Sequence, residues 1–224
     1  MCGHRTPIQL AVTLGGFVCL LGMTLSSHPA PDGIDGMVLD WIDHHRLAWV
    51  TSAMAALTIA FGPIWVTGWT ALAAAVLFTV DRTVVRPATV VLGVALAGAG
   101  WEIAKVTVAR PRPPAGQQLS AIETGLSYPS GHVTGTTALV MTLAVVVTAQ
   151  VRAPWVRRVV IAVATAVATL SAITRLYLGM HWASDVVAGM ALGVAVATLA
   201  PPVVKNSLRQ LEPRLPAGLR NRVR

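Results

Sequence analysis

The stretch Arg175-x5-His181-x3-Asp185 holds residue types that could carry out nucleophilic or general-base chemistry. If His181 starts a helix or leads into one, Asp185 lies one turn later on the same face and can accept a hydrogen bond from one imidazole nitrogen. The other nitrogen then keeps its lone pair outward, while the carboxylate fixes the tautomer and stabilises the cation that forms. A structural ion pair at a helix start is the competing reading. A second cluster, Tyr128-Pro129-Ser130-Gly131-His132, stands just before an apolar run that begins near Val133. Ser130 fits an N-cap, Gly131 lets a ligand approach the backbone, and the first-turn N–H groups carry positive partial charge, so the cluster reads as an anion site. Helix capping alone explains the serine and the glycine but gives His132 no task. A third cluster, Lys105-x6-Arg112-Pro113, supplies cations beside an apolar run. Ionisable groups at a membrane edge are expensive to keep and are functional candidates by default, although a snorkelling lysine followed by a basic loop has the same composition.

The elements that must position these residues are apolar helices. Of 224 residues, 54% are hydrophobic and 12% charged, whereas a soluble domain carries roughly a quarter charged residues. The apolar residues fall in blocks at 8–25, 47–80, 88–108, 133–151, 159–173 and 186–204, several near the roughly 20 residues that cross hydrocarbon as a helix. This excludes disorder, collagen-like repeats and a soluble basic nucleic-acid binder. Cys2 and Cys19 cannot build a disulfide framework or a metal cluster. The block 8–25 reads as a retained span rather than a cleaved signal, because it exceeds the usual length of about 7–15 residues and no small-x-small site follows. The block 47–80 would be about 50 Å long as a helix. Its only interruption, Phe61-Gly62-Pro63, lacks a polar turn, so the expectation is one helix kinked near Pro63 with its first turns outside the bilayer or at its interface. The fold class expected is therefore all-α, an integral membrane bundle of six transmembrane helices.

Twelve of the seventeen lysines and arginines, from Arg5, Arg82, Arg86, Arg152, Arg157 and Arg158 to six in the tail after residue 204, fall on one side of this layout. Cations are retained in the cytoplasm, which puts both termini there and the loops 109–131 and 174–184 together on the outer face. The outward segment 26–46 spaces Ile34, Met37, Val38, Trp41 and Ile42 as a short interfacial helix. Asp43-His44-His45 offers metal-ligating types, but adjacent histidines on a helix point in different directions, and a solvated loop is the reading preferred. Glu102, three residues before Lys105, is a candidate to position that lysine. Gly189 and Gly193 form a small-xxx-small pair suited to packing within the chain. Two parts are expected, a membrane domain over 1–204 and a basic cytoplasmic tail over 205–224.

Taken together, Lys105-x6-Arg112-Pro113, Pro129-Ser130-Gly131-His132 and Arg175-x5-His181-x3-Asp185 specify ten residues in a fixed order. They resemble the three signature blocks of the type 2 phosphatidic acid phosphatase superfamily, the membrane lipid phosphate phosphatases. The resemblance covers about residues 30–204. Thr174 stands where the third block commonly has serine, and it keeps a hydroxyl.

The resemblance implies a multi-pass plasma-membrane enzyme that hydrolyses a lipid phosphomonoester or pyrophosphate at the extracytoplasmic face. His181 would attack phosphorus to give a phosphohistidine, Asp185 would orient it, and His132 would protonate the leaving oxygen and later activate water. Lys105, Arg112 and Arg175 would hold the non-bridging oxygens, with Ser130, Gly131 and Pro113 shaping the cradle. Three fixed cations supply the electrostatics, so neither a metal nor another cofactor is expected. The partners implied are a lipid substrate and the bilayer, not nucleic acid. A polyprenyl diphosphate is the first expectation for substrate, and phosphatidic acid or phosphatidylglycerol phosphate the second. The alternative from another class is a non-catalytic headgroup-binding transporter or scramblase, which uses the cations but not the paired histidines.

Overall fold

The computed structural model describes residues 5–27, 33–120, 122–214 and 216, and the described residues hold helices and connecting segments without strands. In chain order these are α1 (Arg5–Ser27), α2 (Ile34–His44), α3 (Ala48–Ala60), α4 (Pro63–Asp81), α5 (Val85–Val108), α6 (Gly131–Thr148), α7 (Pro154–Tyr177) and α8 (Ala183–Leu211). Six of them, α1 and α4 to α8, are long and apolar enough to cross a membrane, the number expected from the sequence.

Where each helix sits follows from its side chains. α6 and α8 form the centre, α6 packing against α4, α5, α7 and α8, and α8 also against α1 and α5. Half of the apolar stretch of α6 is buried, against about a sixth in α1 and α4, so the outer helices keep large aliphatic and aromatic side chains for lipid. The central helices meet through small residues, which let backbones approach where lipid gives no hydrophobic drive. A methyl group on Gly193 would lie 2.6 Å from Thr137 Cβ, and one on Gly189 3.0 Å from the Ser130 carbonyl oxygen. The small pair thus packs α8 onto α6 within the chain, as expected.

The block 47–80 departs from expectation, because it is two helices and not one kinked helix. α3 ends where Phe61 N donates to Thr58 O at 3.2 Å and Gly62 N to Ile59 O at 3.0 Å. Gly62 is extended, and Pro63, which has no N–H to lose, begins α4. The turn therefore meets its backbone demands from α3's own last carbonyls, without the polar residues a hairpin was expected to need. α3 has 13 residues, about 20 Å, too short to span, and it packs against α7 while α4 packs against α5 and α6.

α2 is the expected amphipathic helix, with Ile34, Met37 and Trp41 exposed on one face. The rings of His44 and His45 turn back onto their own helix, each Nδ1 donating at 2.7 Å to the carbonyl four residues earlier. At the chain's other end, α8 continues through Lys205 to Leu211, so the first residues of the basic tail extend the last span. The remainder of the tail lies largely outside the described residues. Connectivity brings the α5–α6 link (109–130) and the α7–α8 link (178–182) to one end of the bundle, and the α4–α5 and α6–α7 links to the other.

Candidate active site

At the first of these ends the two links are laced together. Ser127 N donates to Arg110 O at 2.8 Å, Leu119 N to Leu178 O at 3.0 Å, and Ser130 N to Asp185 O at 3.1 Å. The last of these fixes the start of α6 beside the start of α8. Tyr128 is buried, and its hydroxyl donates to the Val18 carbonyl of α1 at 2.6 Å. Burial, reinforced by the Asp185 charge, pushes the Tyr128 phenol up from its ordinary value.

His181 leads into α8, whose N-cap is Trp182, and 2% of its surface is exposed. Arg112 Nη1 lies 3.0 Å from His181 Nε2 and also donates to Met180 O at 2.8 Å. A guanidinium can only donate, so Nε2 is the acceptor and the ring proton belongs on Nδ1. That nitrogen faces Asp185 Oδ2 at 3.5 Å. The pairing expected from the sequence is present as a close approach, long for a hydrogen bond, and Nδ1 has no nearer partner. The carboxylate is held in this position by other donors, Oδ2 by Trp182 N at 3.0 Å and Oδ1 by Arg110 Nη1 at 2.8 Å. Burial lowers the His181 pKa from its ordinary value, against the opposing pull of Asp185, and keeps the ring neutral with its Nε2 lone pair toward the cations.

Arg110 gave no signal in the sequence beyond its charge, yet it is 2% exposed and joins the catalytic candidates to α2. Its Nη2 donates to Asp35 Oδ2 at 2.7 Å, its Nη1 to Ser184 Oγ at 2.7 Å, and its guanidinium lies over the Trp182 ring. Asp35 also accepts from Ser184 N at 2.8 Å. Burial alone would raise the Asp35 pKa, but the hydrogen bonds from Ser184 and Arg110 outweigh it and hold the carboxyl below its ordinary value.

Arg175, expected in a loop, sits in the last turn of α7, because the helix runs on to Tyr177. Its Nη2 pairs with Glu123 Oε1 at 2.6 Å and its Nη1 donates to Thr58 Oγ1 of α3 at 3.3 Å. Arg112 Nη1 pairs with the other Glu123 oxygen at 2.8 Å. Burial pushes the Glu123 carboxyl up, but the Arg175 charge and hydrogen bond, with the Arg112 charge, take it below its ordinary value. His132, in the first turn of α6, shares its electrostatic surroundings with Arg175, Glu123, His181 and Arg112, and its Nε2 faces the Gly62 turn.

Ser130 occupies the N-cap position of α6, but its hydroxyl makes no cap bond; it is fully buried and has no hydrogen-bond partner. A buried hydroxyl left free at a helix N-terminus suits an incoming anion better than a structural cap. Gly131 packs so closely on Trp101 that a methyl group would lie 2.9 Å from the indole. Trp101 in turn donates to the Pro129 carbonyl at 3.1 Å and receives Lys105 over its ring at 4.7 Å. Lys105 thus borders the α6 N-terminus through an aromatic ring, whereas Arg112 and Arg175 converge directly. Glu102 does not hold Lys105: it is exposed, with no ion pair among the described residues. Lys105 stacks on the residue four positions before it, not three. Pro113 is buried and offers its carbonyl to Gln118 Nε2 at 2.9 Å, so it shapes the link without reaching toward the cations. Asp35, Thr58, Arg110 and Glu123 escaped sequence reasoning; a charge in an apolar chain is the one signal that Asp35, Arg110 and Glu123 gave, and Thr58 gave none.

Beside this cluster an apolar cavity of about 380 Å³ lies between α4, α5 and α6, with Pro63, Val66, Val94 and Trp101 on its walls and Gly131 and Thr134 at the edge shared with the site.

A family model described as PAP2 superfamily matches residues 86–209. Among curated proteins none matches the chain by sequence. The crystal structure of a transmembrane PAP2 type phosphatidylglycerolphosphate phosphatase from Bacillus subtilis superposes with a TM-score of 0.77 at 21% identity, covering 88% of this chain and 96% of that one. The crystal structure of Aquifex aeolicus LpxE superposes with a TM-score of 0.58 at 18% identity, covering 75% and 94%. At these identities the likeness establishes the fold.

Proposed function

We propose, from the premise that this chain belongs to the PAP2 superfamily, that it is a membrane hydrolase removing a terminal phosphate from a lipid. The observation that carries the reading is the convergence of Arg112 and Arg175 on a single carboxylate, with His181 Nε2 3.0 Å from Arg112. A site that clamps one anion between two guanidiniums beside a neutral imidazole supports in-line attack on phosphorus, the Nε2 lone pair being released as the phosphate takes over Arg112.

In the proposed mechanism His181 Nε2 forms the bond to phosphorus while the bond to the leaving oxygen breaks. Arg112 and Arg175, the free Ser130 hydroxyl and the first-turn amides of α6 hold the non-bridging oxygens, with Lys105 adding charge from its place over Trp101. His132 gives its proton to the departing oxygen, then takes one from water, which cleaves the phosphohistidine and releases inorganic phosphate. Asp185, held by Arg110, balances the positive charge that develops on His181 as the bond forms.

The apolar cavity beside Gly131 supports a lipid substrate, because a tail could lie between α4, α5 and α6 while its headgroup reaches the cations. A polyprenyl diphosphate is the first choice of substrate and phosphatidic acid or phosphatidylglycerol phosphate the second, the last being the substrate named for the Bacillus subtilis protein. The positions of Arg82, Arg86, Arg152, Arg157, Arg158 and Lys205 at the end away from the site favour a plasma-membrane orientation with that end in the cytoplasm.

The test is phosphate release by the purified full chain from each of these three lipids in excess chelator, beside His181→Ala. Release by the wild type and none by the variant supports the reading, and the relative rates rank the substrates. Release that requires a divalent ion, or that survives the substitution, overturns the mechanism. Binding of the lipids without release favours the transporter alternative.

A further inference from the structure

Without substrate, the two guanidiniums of the proposed cradle already hold an anion. Glu123 gives one carboxylate oxygen to Arg175 at 2.6 Å and the other to Arg112 at 2.8 Å, bridging them as two oxygens of a phosphate would. Its side chain is 30% exposed, while those of Arg175 and Arg112 are 2% and 14% exposed. The carboxylate can therefore turn out toward solvent, and the arginines cannot follow it. Its backbone is tethered meanwhile, Glu123 N donating to Gln118 Oε1 at 2.8 Å and Gln118 Nε2 donating to Pro113 O at 2.9 Å.

We propose that Glu123 is an internal competitor that makes the site select dianionic terminal phosphates and reject the monoanionic phosphodiester headgroups of ordinary membrane lipids. The inference rests on reading Arg112 and Arg175 as the phosphate cradle. The argument is one of charge. Arg112 and Arg175 bring two positive charges and Glu123 returns one, so the resting cradle keeps an excess of one. A phosphodiester that displaces Glu123 replaces one negative charge with another, gains no electrostatic compensation, and must still break two close ion pairs, the one to Arg175 also a charge-assisted hydrogen bond. A terminal phosphate, at close to two negative charges, neutralises both guanidiniums and repels the carboxylate it displaces. Discrimination of this kind works by a built-in rival and not by shape. The same carboxylate can re-enter as inorganic phosphate leaves, which limits inhibition by product.

The experiment compares wild type, Glu123→Gln and Glu123→Asp, each as the full chain in detergent micelles. Binding of inorganic phosphate is measured by calorimetry at about pH 8, where it is mainly dianionic. Inhibition of phosphate release by added phosphatidylglycerol is measured alongside. Glu123→Gln is expected to bind phosphate about tenfold more tightly and to become inhibitable by phosphatidylglycerol at concentrations that leave the wild type unaffected. Glu123→Asp, one methylene too short to reach both arginines, should fall between the two, and it carries the test if the glutamine variant does not fold. Equal or weaker phosphate binding by Glu123→Gln, or no phosphate binding by any of the three, overturns the proposal. Because binding is read without turnover, tighter binding in a chain that hydrolyses no lipid keeps this inference and removes the enzymatic one. Hydrolysis with unchanged phosphate affinity does the reverse.

Discussion

Arg110 donates to Asp185 at 2.8 Å across 75 residues of sequence, with the side chains of both almost wholly withdrawn from solvent. The same guanidinium reaches Asp35 of α2 at 2.7 Å, so the carboxylate nearest His181 is tied to a helix on the bundle's edge. Removing one partner of a buried ion pair leaves the others uncompensated. Arg110→Ala is expected to destabilise the protein by about 3–5 kcal/mol. Arg110→Lys, which keeps the charge but not the fork, should lower kcat with little change in KM, since Arg110 makes its contacts to carboxylates and not to the cradle. Thermal unfolding and steady-state kinetics of the two variants check this, and a rise in KM at constant kcat would show Arg110 acting on substrate instead.

Arg112→Ala and Arg175→Ala should each reduce kcat/KM by about 10²–10³, the usual cost of deleting one donor from an oxyanion site. His181→Ala should leave no covalent phosphoenzyme after rapid quenching with labelled substrate.

pH should act from the acid side. Glu123 and Asp35 have pKa values lowered in the folded chain, so their contribution is fully present above the ordinary carboxylate values of 4.5 and 3.8 and is lost as pH falls through the lowered ones. His181 is lowered too, so its burial as a neutral ring is favoured above 6.5 and opposed as pH falls below that. Melting temperature in detergent should therefore decline on acidification, and the limb of kcat/KM that reports protonation of the nucleophile should lie below the ordinary histidine value. A nucleophile limb above it would mean that His181 is charged at rest.

The contact between α6 and α8 should tolerate no added carbon. Gly193→Ala places a methyl group 2.6 Å from Thr137 and should cost about 1–3 kcal/mol, the usual range for overpacking. Gly98→Ala, with nothing within 4 Å of the new methyl, should be neutral or slightly stabilising. Comparing the two by thermal unfolding separates close packing from helix propensity.

Glu102→Gln should keep wild-type kinetics, because Lys105 is seated on Trp101 and not on Glu102. Trp101→Leu, which removes both the ring under Lys105 and the hydrogen bond to Pro129, should be the variant that impairs activity.

The misreading of 47–80 as one helix follows from the limits of periodicity. Leu47 to Val80 holds no charged residue, so hydropathy could not register the break at Phe61-Gly62, where backbone bonding from Thr58 and Ile59 supplies what a polar turn would have supplied. Thr58 was hidden for the same reason. It meets Arg175 only because α3 turns aside from α4 and lies along α7.

By itself the sequence determined the six spans, the common end at which the 109–130 and 178–182 links lie, and the residues of the three clusters. Span length and hydropathy are local quantities, and an even number of crossings between two links fixes their side. Tertiary structure alone decided how the charges pair. Arg110 was absorbed by Asp185 and Asp35 while Arg112 and Arg175 were left to share Glu123. That allocation depends on which side chains the packed helices bury within hydrogen-bond reach of one another. Electrostatic energy falls steeply with distance and with access to water, and neither can be read from residue order.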